Sequence, residues 1–219
     1  MKPLIKICGL KTAEAAQAVS DAGVDMAGFM FFEKSPRYLA TFEQAKEVDA
    51  HLAPEIARVA VTVNADDKYL AQIVDHLEPD YLQLHGGETP QRVTEIKRKF
   101  GLPVIKVCLI SDKDDVDGVV AFEGVADLFL LDAKPKADQG SRPGGWGDSF
   151  DWQLLAKGKG GRDFKLPWLL AGGLNASNVN EAIRLVEPGG VDLSSGVETS
   201  PGVKSPELIK EFVAAVRNG

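Results

Sequence analysis

Three side chains and two glycine-rich turns are suited to acid–base chemistry on a small anionic molecule. Cys8 ends the apolar run "LIKIC" (4–8) and is followed directly by glycine. A thiol acts as a base only when ionised, and a free cysteine has a pKa near ~8.5, so Cys8 would need help from a cation. The plain alternative is a small buried hydrophobe. Asp132 ends "LFLLD" (128–132), where four apolar residues deliver a carboxyl group. Partial burial raises such a pKa and suits the group to proton donation, though a helix cap or a structural partner for a lysine would read the same. Arg37, in "SPR" (35–37), carries a planar fork that matches a carboxylate. An isolated surface arginine is more often merely solvated. The turns "AGGLNASNV" (171–179), with Gly173, and "SSGVE" (194–198), with Ser194, Ser195 and Gly196, each follow a strand-like run directly. Backbone N–H groups in such turns can surround a phosphate, and Ser195 can add a hydroxyl; one such turn alone would be only a tight connection. "HGGE" (85–88) is read as a turn.

The elements that must hold these groups alternate along the whole chain. Strand-like runs at 4–8, 26–31, 57–63, 81–85, 104–109, 128–132, 168–173 and 191–196 are each followed by a helical pattern. Thr12, Thr41, Thr89-Pro90 and Ser205-Pro206 read as helix starts. Such alternation implies a parallel sheet. The two faces of several strands differ in composition, which favours a closed α/β (β/α)8 TIM barrel of eight parallel strands over an open sheet covered on both sides. The expectation is one barrel domain spanning residues 1–219. The mixed faces, carrying Lys6 and Cys8, Arg58 and Thr62, Gln83 and His85, Lys106 and Cys108, should point into the barrel. The greasy faces, with Ile5, Val59, Val61, Leu82, Ile105 and Val107, should pack on helices. Inward Lys6, Lys106 and Asp192 would then neutralise one another, and Lys6 would assist Cys8. Cys8, Asn64, His85, Asp132, Gly173 and Ser194 all fall at C-terminal strand ends, where barrels of this kind build their sites.

Composition narrows the partners. The formal net charge is −7, with 44% hydrophobic and 26% charged residues and no basic block. That argues against nucleic acid and anionic membrane and for a small-molecule partner. The beginning "MKPLIKICG" lacks the apolar segment of a signal peptide, and no apolar run approaches the ~18 residues a membrane span needs. The two cysteines are therefore read as reduced thiols of a cytoplasmic protein. His51, His76 and His85 have no metal-ligand spacing, so no metal is expected.

With these residues assembled, the chain resembles the phosphoribosylanthranilate isomerases of tryptophan biosynthesis. The resemblance runs in order through "KICGL" (6–10), "GFMFFEKSPRY" (28–38), "LQLHG" (82–86), "LLDA" (130–133), "GGWGDSFDW" (144–152), "LAGGLN" (170–175), "VDLSSGVE" (191–198) and "PGVKS" (201–205). It implies an Amadori rearrangement of N-(5-phospho-β-D-ribosyl)anthranilate to 1-(2-carboxyphenylamino)-1-deoxy-D-ribulose 5-phosphate, with no cofactor. It further implies Cys8 as general base, Asp132 as general acid and Arg37 on the anthranilate carboxylate. Gly173, Asn175, Ser194, Ser195 and Gly196 would hold the phosphate with Gly145, while Gln83 and His85 would line the site. Trp146 and Glu33 depart from the family pattern, which commonly has a small or polar residue and a proline there.

Rival readings are the related phosphosugar isomerase of histidine biosynthesis, a bifunctional variant, or a non-catalytic barrel that binds a phosphorylated ligand. The histidine-pathway family uses a carboxylate at the position of Cys8 and a substrate with two phosphates, whereas here a thiol and a single well-formed cradle are found. A monomer and a homodimer both fit the sequence.

Overall fold

The eight strand-like runs become the eight staves of one closed barrel. The computed structural model describes residues 2–135, 149–156 and 163–219. Its strands are β1 (Leu4–Cys8), β2 (Met26–Met30), β3 (Ala57–Thr62), β4 (Tyr81–Leu84), β5 (Val104–Ile110), β6 (Leu128–Ala133), β7 (Trp168–Leu170) and β8 (Gly190–Leu193). They pair in parallel in sequence order, and β8 closes on β1 with Lys6 beside Asp192. Parallel neighbours need crossover connections, which here are helices. These are α1 (Ala13–Asp21), α2 (Phe42–Asp49), α3 (Asp67–Leu77), α4 (Pro90–Phe100), α5 (Lys113–Gly118), α6 (Val179–Val186) and α7 (Pro206–Asn218). A short 3-10 turn, Trp152–Leu155, lies between β6 and β7.

The helix starts follow their sequence signals. The hydroxyls of Thr12, Thr41, Thr89 and Ser205 each accept from the backbone N–H three residues on. Each such cap contributes about 1 kcal/mol. Asn178, which precedes α6, makes no cap; its side chain instead accepts from Asn175 N and donates to Gly173 O, bracing the loop after β7.

The faces of β1 and β4 are as expected: Ile5, Ile7, Leu82 and Leu84 pack outward on the helices. Those of β3 and β5 are the reverse of the expectation. Val59, Val61, Ile105 and Val107 fill the barrel interior with Met26, Leu128, Leu130, Leu169 and Ala171. Both sides of a barrel wall are buried, so an apolar set does not reveal which side it takes. The polar members find partners outside. Arg58 reaches the Asp49 carboxylate at 2.7 Å and the carbonyls of Ala53 and Ile56. Lys106 does not join Lys6 and Asp192; its ammonium pairs with Glu88 at 3.0 Å on the outer side. Its aliphatic stem is buried on that outer face while the charged head finds oxygen.

A further element follows β8: an antiparallel hairpin of β9 (Glu198–Ser200) and β10 (Val203–Lys204). Strands of two and three residues are too short to show alternation. The Ser-Pro-Gly turn between them is the one sequence signal that marks the hairpin. No helix among the described residues is long and apolar enough to cross a membrane.

Candidate active site

Cys8 and Asp132 enter the barrel mouth from strands three positions apart in the closed sheet, β1 and β6. Cys8 packs on the interior cluster, and Asp132 stands in register with Leu109, which packs on that same cluster. Both are buried. The Arg37 guanidinium feels the charge of Cys8 and, less, that of Asp132. Gly28 leaves room for the thiol: a Cβ there would stand 2.9 Å from Cys8 Sγ.

The ionisation of Cys8 is set by opposing influences. Burial pushes the thiol up and prevails; Lys6 pulls it down, Asp192 adds to the rise, and Lys204 and Arg37 oppose it. The expected assistance from Lys6 exists but is outweighed, because a thiolate in an apolar barrel loses most of its hydration. Lys6 itself is fully buried 2.7 Å from Asp192. Burial alone would lower its pKa, yet Asp192 and then Cys8 carry it above the ordinary lysine value.

Around Asp132 the site is held by its neighbours. Its Oδ1 accepts from Ala133 N at 2.8 Å, and its Oδ2 lies 3.6 Å from His85 Nε2. Gln83 Nε2 is 3.5 Å from His85 Nδ1. Among the described residues, the buried Gln83 Oε1 and His85 Nε2 have no hydrogen-bond partner. Leaving a buried polar atom unpaired costs about 1–3 kcal/mol, so these two atoms are polarity held ready at the barrel mouth.

The two glycine-rich turns meet. Gly196 lies against the Leu174 carbonyl so closely that a side chain would collide with it. Gly172 and Gly173 both have positive φ, which lets the chain turn sharply after β7. Ser195 and Gly196 open a 3-10 turn, whose first N–H groups have no partner within the turn. Asn175 Oδ1 accepts from Ser177, bracing the same loop. Ser194 faces the other way: its hydroxyl donates to Cys8 O at 2.8 Å. Gly145 and Trp146 lie outside the described residues, and Glu33 is exposed.

Arg37 is held by a carboxylate that sequence reasoning missed. Its Nε and Nη2 bind Glu198 Oε1 and Oε2, each at 2.8 Å. Lys204 Nζ reaches the same Oε1 at 2.7 Å. Glu198 resists burial because Arg37 and Lys204 together hold its carboxyl down to about 2. The signal available in sequence was a pair of opposite charges flanking the Ser-Pro-Gly turn.

A thiol, a carboxyl and an arginine around one apolar mouth, beside a double glycine turn, fit acid–base work on a phosphorylated acid. The model of the N-(5′-phosphoribosyl)anthranilate isomerase family matches residues 5–215. The chain belongs to this family. It is 48% identical over 217 residues, 99% of each chain, to the isomerase of Rhodopseudomonas palustris. Identity to that of Mesorhizobium japonicum is 50% over 214 residues, 97% of this chain and 94% of the other. The crystal structure of phosphoribosylanthranilate isomerase from Thermotoga maritima aligns with a TM-score of 0.84 at 33% identity, covering 99% of this chain and all of the other. A further structure of the family, bound to reduced 1-(o-carboxyphenylamino)-1-deoxyribulose 5-phosphate, aligns with a TM-score of 0.83 at 31% identity over 99% of this chain. The activity is that of a phosphoribosylanthranilate isomerase, a step of tryptophan biosynthesis.

Proposed function

We propose that the rearrangement runs between Cys8 and Asp132 in one barrel domain spanning residues 1–219. Asp132 gives its proton to the furanose ring oxygen as the C1′–O bond breaks, and the anthranilate nitrogen becomes the iminium of an open-chain Schiff base. The Cys8 thiolate then takes the C2′ proton. The electrons of that C–H bond form the enolamine double bond, which tautomerises to the ketose. One acid and one base are sufficient for an aldose–ketose shift, so the reading calls for no metal or organic cofactor. Thiol burial is consistent with this role. A thiolate that is scarce at neutral pH is a stronger base once formed, and its field comes from Lys6, Lys204 and Arg37.

Arg37 would take the substrate carboxylate in this scheme. The turn carrying Gly173 and Asn175 would hold the phosphate together with Ser195, Gly196 and the Ser194 backbone, with help from Gly145. Gln83 and His85 would line the sugar. The reading fits a cytoplasmic enzyme, with the monomer and the homodimer both open to test by light scattering.

The observation that carries the proposal is the burial of Cys8 and Asp132 at the C-terminal ends of strands of one barrel, with Arg37 in electrostatic reach of both. The test follows consumption of phosphoribosylanthranilate by fluorescence. Cys8→Ala and Asp132→Asn should each lose about 10²–10⁴ in kcat, the usual worth of a positioned proton-transfer group, while the reduced product analogue still binds. A near-parental rate in either variant removes that residue from its role.

A further inference from the structure

The hairpin after β8 supplies a charge that the mechanism above uses only for its field at Cys8. Arg37, Glu198 and Lys204 form a compact buried cluster, their side chains 5%, 4% and 1% exposed. The guanidinium grips both oxygens of Glu198, and Lys204 Nζ binds Oε1 of the same carboxylate at 2.7 Å. Lys204 also donates to Ser194 O and Oγ, each at 2.9 Å, and Ser194 Oγ lies 3.4 Å from Glu198 Oε1. Two cations thus share one anion.

An arginine fully matched by a glutamate is a neutral pair and attracts a further carboxylate only through its dipole. Adding Lys204 to the same glutamate returns one net positive charge to the cluster. Holding that excess away from water is unfavourable. The cost is visible in Lys204 itself: burial lowers its pKa to about 8, Glu198 resists the fall, and Arg37 adds to it. The Lys204 head is occupied by Glu198 and Ser194, so it does not reach a ligand. Among the described residues of the cluster, Arg37 is the cation whose charge acts on both Cys8 and Asp132.

We propose that Lys204 is a positioning residue that keeps a net positive charge on the Arg37–Glu198 pair for the aromatic carboxylate of the substrate. This rests on the reading of Arg37 as the carboxylate clamp.

The probes are the reduced product analogue and its counterpart lacking the aromatic carboxylate. Lys204→Met makes the cluster neutral. It should weaken binding of the carboxylate compound about tenfold and raise KM by a similar factor, leaving binding of the carboxylate-free compound little changed. Glu198→Gln added to Lys204→Met restores the single positive charge and should recover most of the binding. Equal weakening of both compounds, or no recovery in the double variant, overturns the proposal in favour of simple packing.

Should Lys204→Met fail to fold, the parent and Lys204→Arg decide. The charged and titratable groups acting on the Lys204 ammonium are Glu198 from β9, Arg37 from the loop after β2 and Cys8 from β1. In the parent, preference for the carboxylate compound should fall as pH rises through about 8; in Lys204→Arg it should stay flat. A flat parental profile refutes the idea. Arg37→Gln separates the two readings. If it leaves the preference intact, the clamp assignment is wrong. If it abolishes the preference while Lys204→Met does not, only the role of Lys204 is wrong.

Discussion

Lys6 meets Asp192 at 2.7 Å inside the barrel, and Lys106 meets Glu88 at 3.0 Å on its outer side. The surroundings of the two pairs differ. Glu88 also accepts from Asn64 N and Gly86 N, while Lys106 also donates to Leu84 O and Gly86 O. Its oxygens and protons are shared with the backbone, and the pair staples the loop after β3 to the loop after β4. Lys6 instead has Asp192 and then Cys8 acting on it, and Asp192 feels Asp132 and His85. The outer pair fixes backbone; the inner pair leaves its field directed at Cys8, Asp132 and His85. A buried ion pair therefore reads as structure or as function according to what else each partner holds.

The largest effect should be on stability, and it tests whether both pairs are mechanically necessary. Lys6→Met and Lys106→Met should each cost about 3–5 kcal/mol in urea unfolding, since each strands a buried carboxylate. Neutralising both partners, as in Lys6→Met with Asp192→Asn, should return much of that loss. A single variant as stable as the parent would show that its pair adds nothing to the fold.

Next in size is the acid limb of stability, which extends the comparison to the rim of the site. Glu198 is held near 2 against an ordinary 4.5, with burial opposing and Arg37 and Lys204 prevailing. A depressed carboxylate contributes stability above its unfolded pKa and loses it as pH falls through the folded one. The loss should therefore run from about 4.5 down to about 2 and amount to a few kcal/mol. Glu198→Gln should flatten that window; an unchanged slope would place the acid sensitivity elsewhere.

Turnover separates the two pairs more cleanly than stability does. Lys6→Met removes the foremost influence that lowers the Cys8 pKa. Measured where the variants remain folded, kcat/KM at neutral pH should fall about tenfold for each pH unit by which the thiol rises, and recover as pH is raised. Lys106→Met should stay within about twofold of the parent. Equal losses from the two variants would end the distinction between them.

Much of this was legible before any coordinates. The barrel followed from strand–helix alternation, and Cys8 and Asp132 were placed because each ends an apolar run at a turn. The inward faces of β1 and β4 were legible because Lys6 and Gln83 contrast with branched neighbours. Those of β3 and β5 were not, because Val59 and Ile105 are as suited to a barrel interior as to a helix interface. Lys106 misled because its partner Glu88 lies 18 residues away in a loop. The cluster on Arg37 was hidden for the same reason at greater range: 161 residues separate it from Glu198. Pairings that distant leave no local pattern.

The smallest effect carries the inner–outer comparison to sulfur. Cys8 packs in the barrel interior, whereas Cys108 packs on the outer core beside the helices. Burial raises Cys108 to about 11 from an ordinary 9.0, with Lys106 pulling weakly the other way. A raised thiol keeps its proton in the fold while the unfolded chain loses it. The folded state thus binds more protons between about 9 and 11, and stability must fall as pH rises through that window. Cys108→Ala should remove this slope, on the order of 1 kcal/mol, and leave neutral turnover intact. If its alkaline slope matched the parent, the sensitivity would belong to other groups, Cys8 among them. If turnover fell with it, the outer wall would be coupled to the chemistry and the division between the two faces would fail.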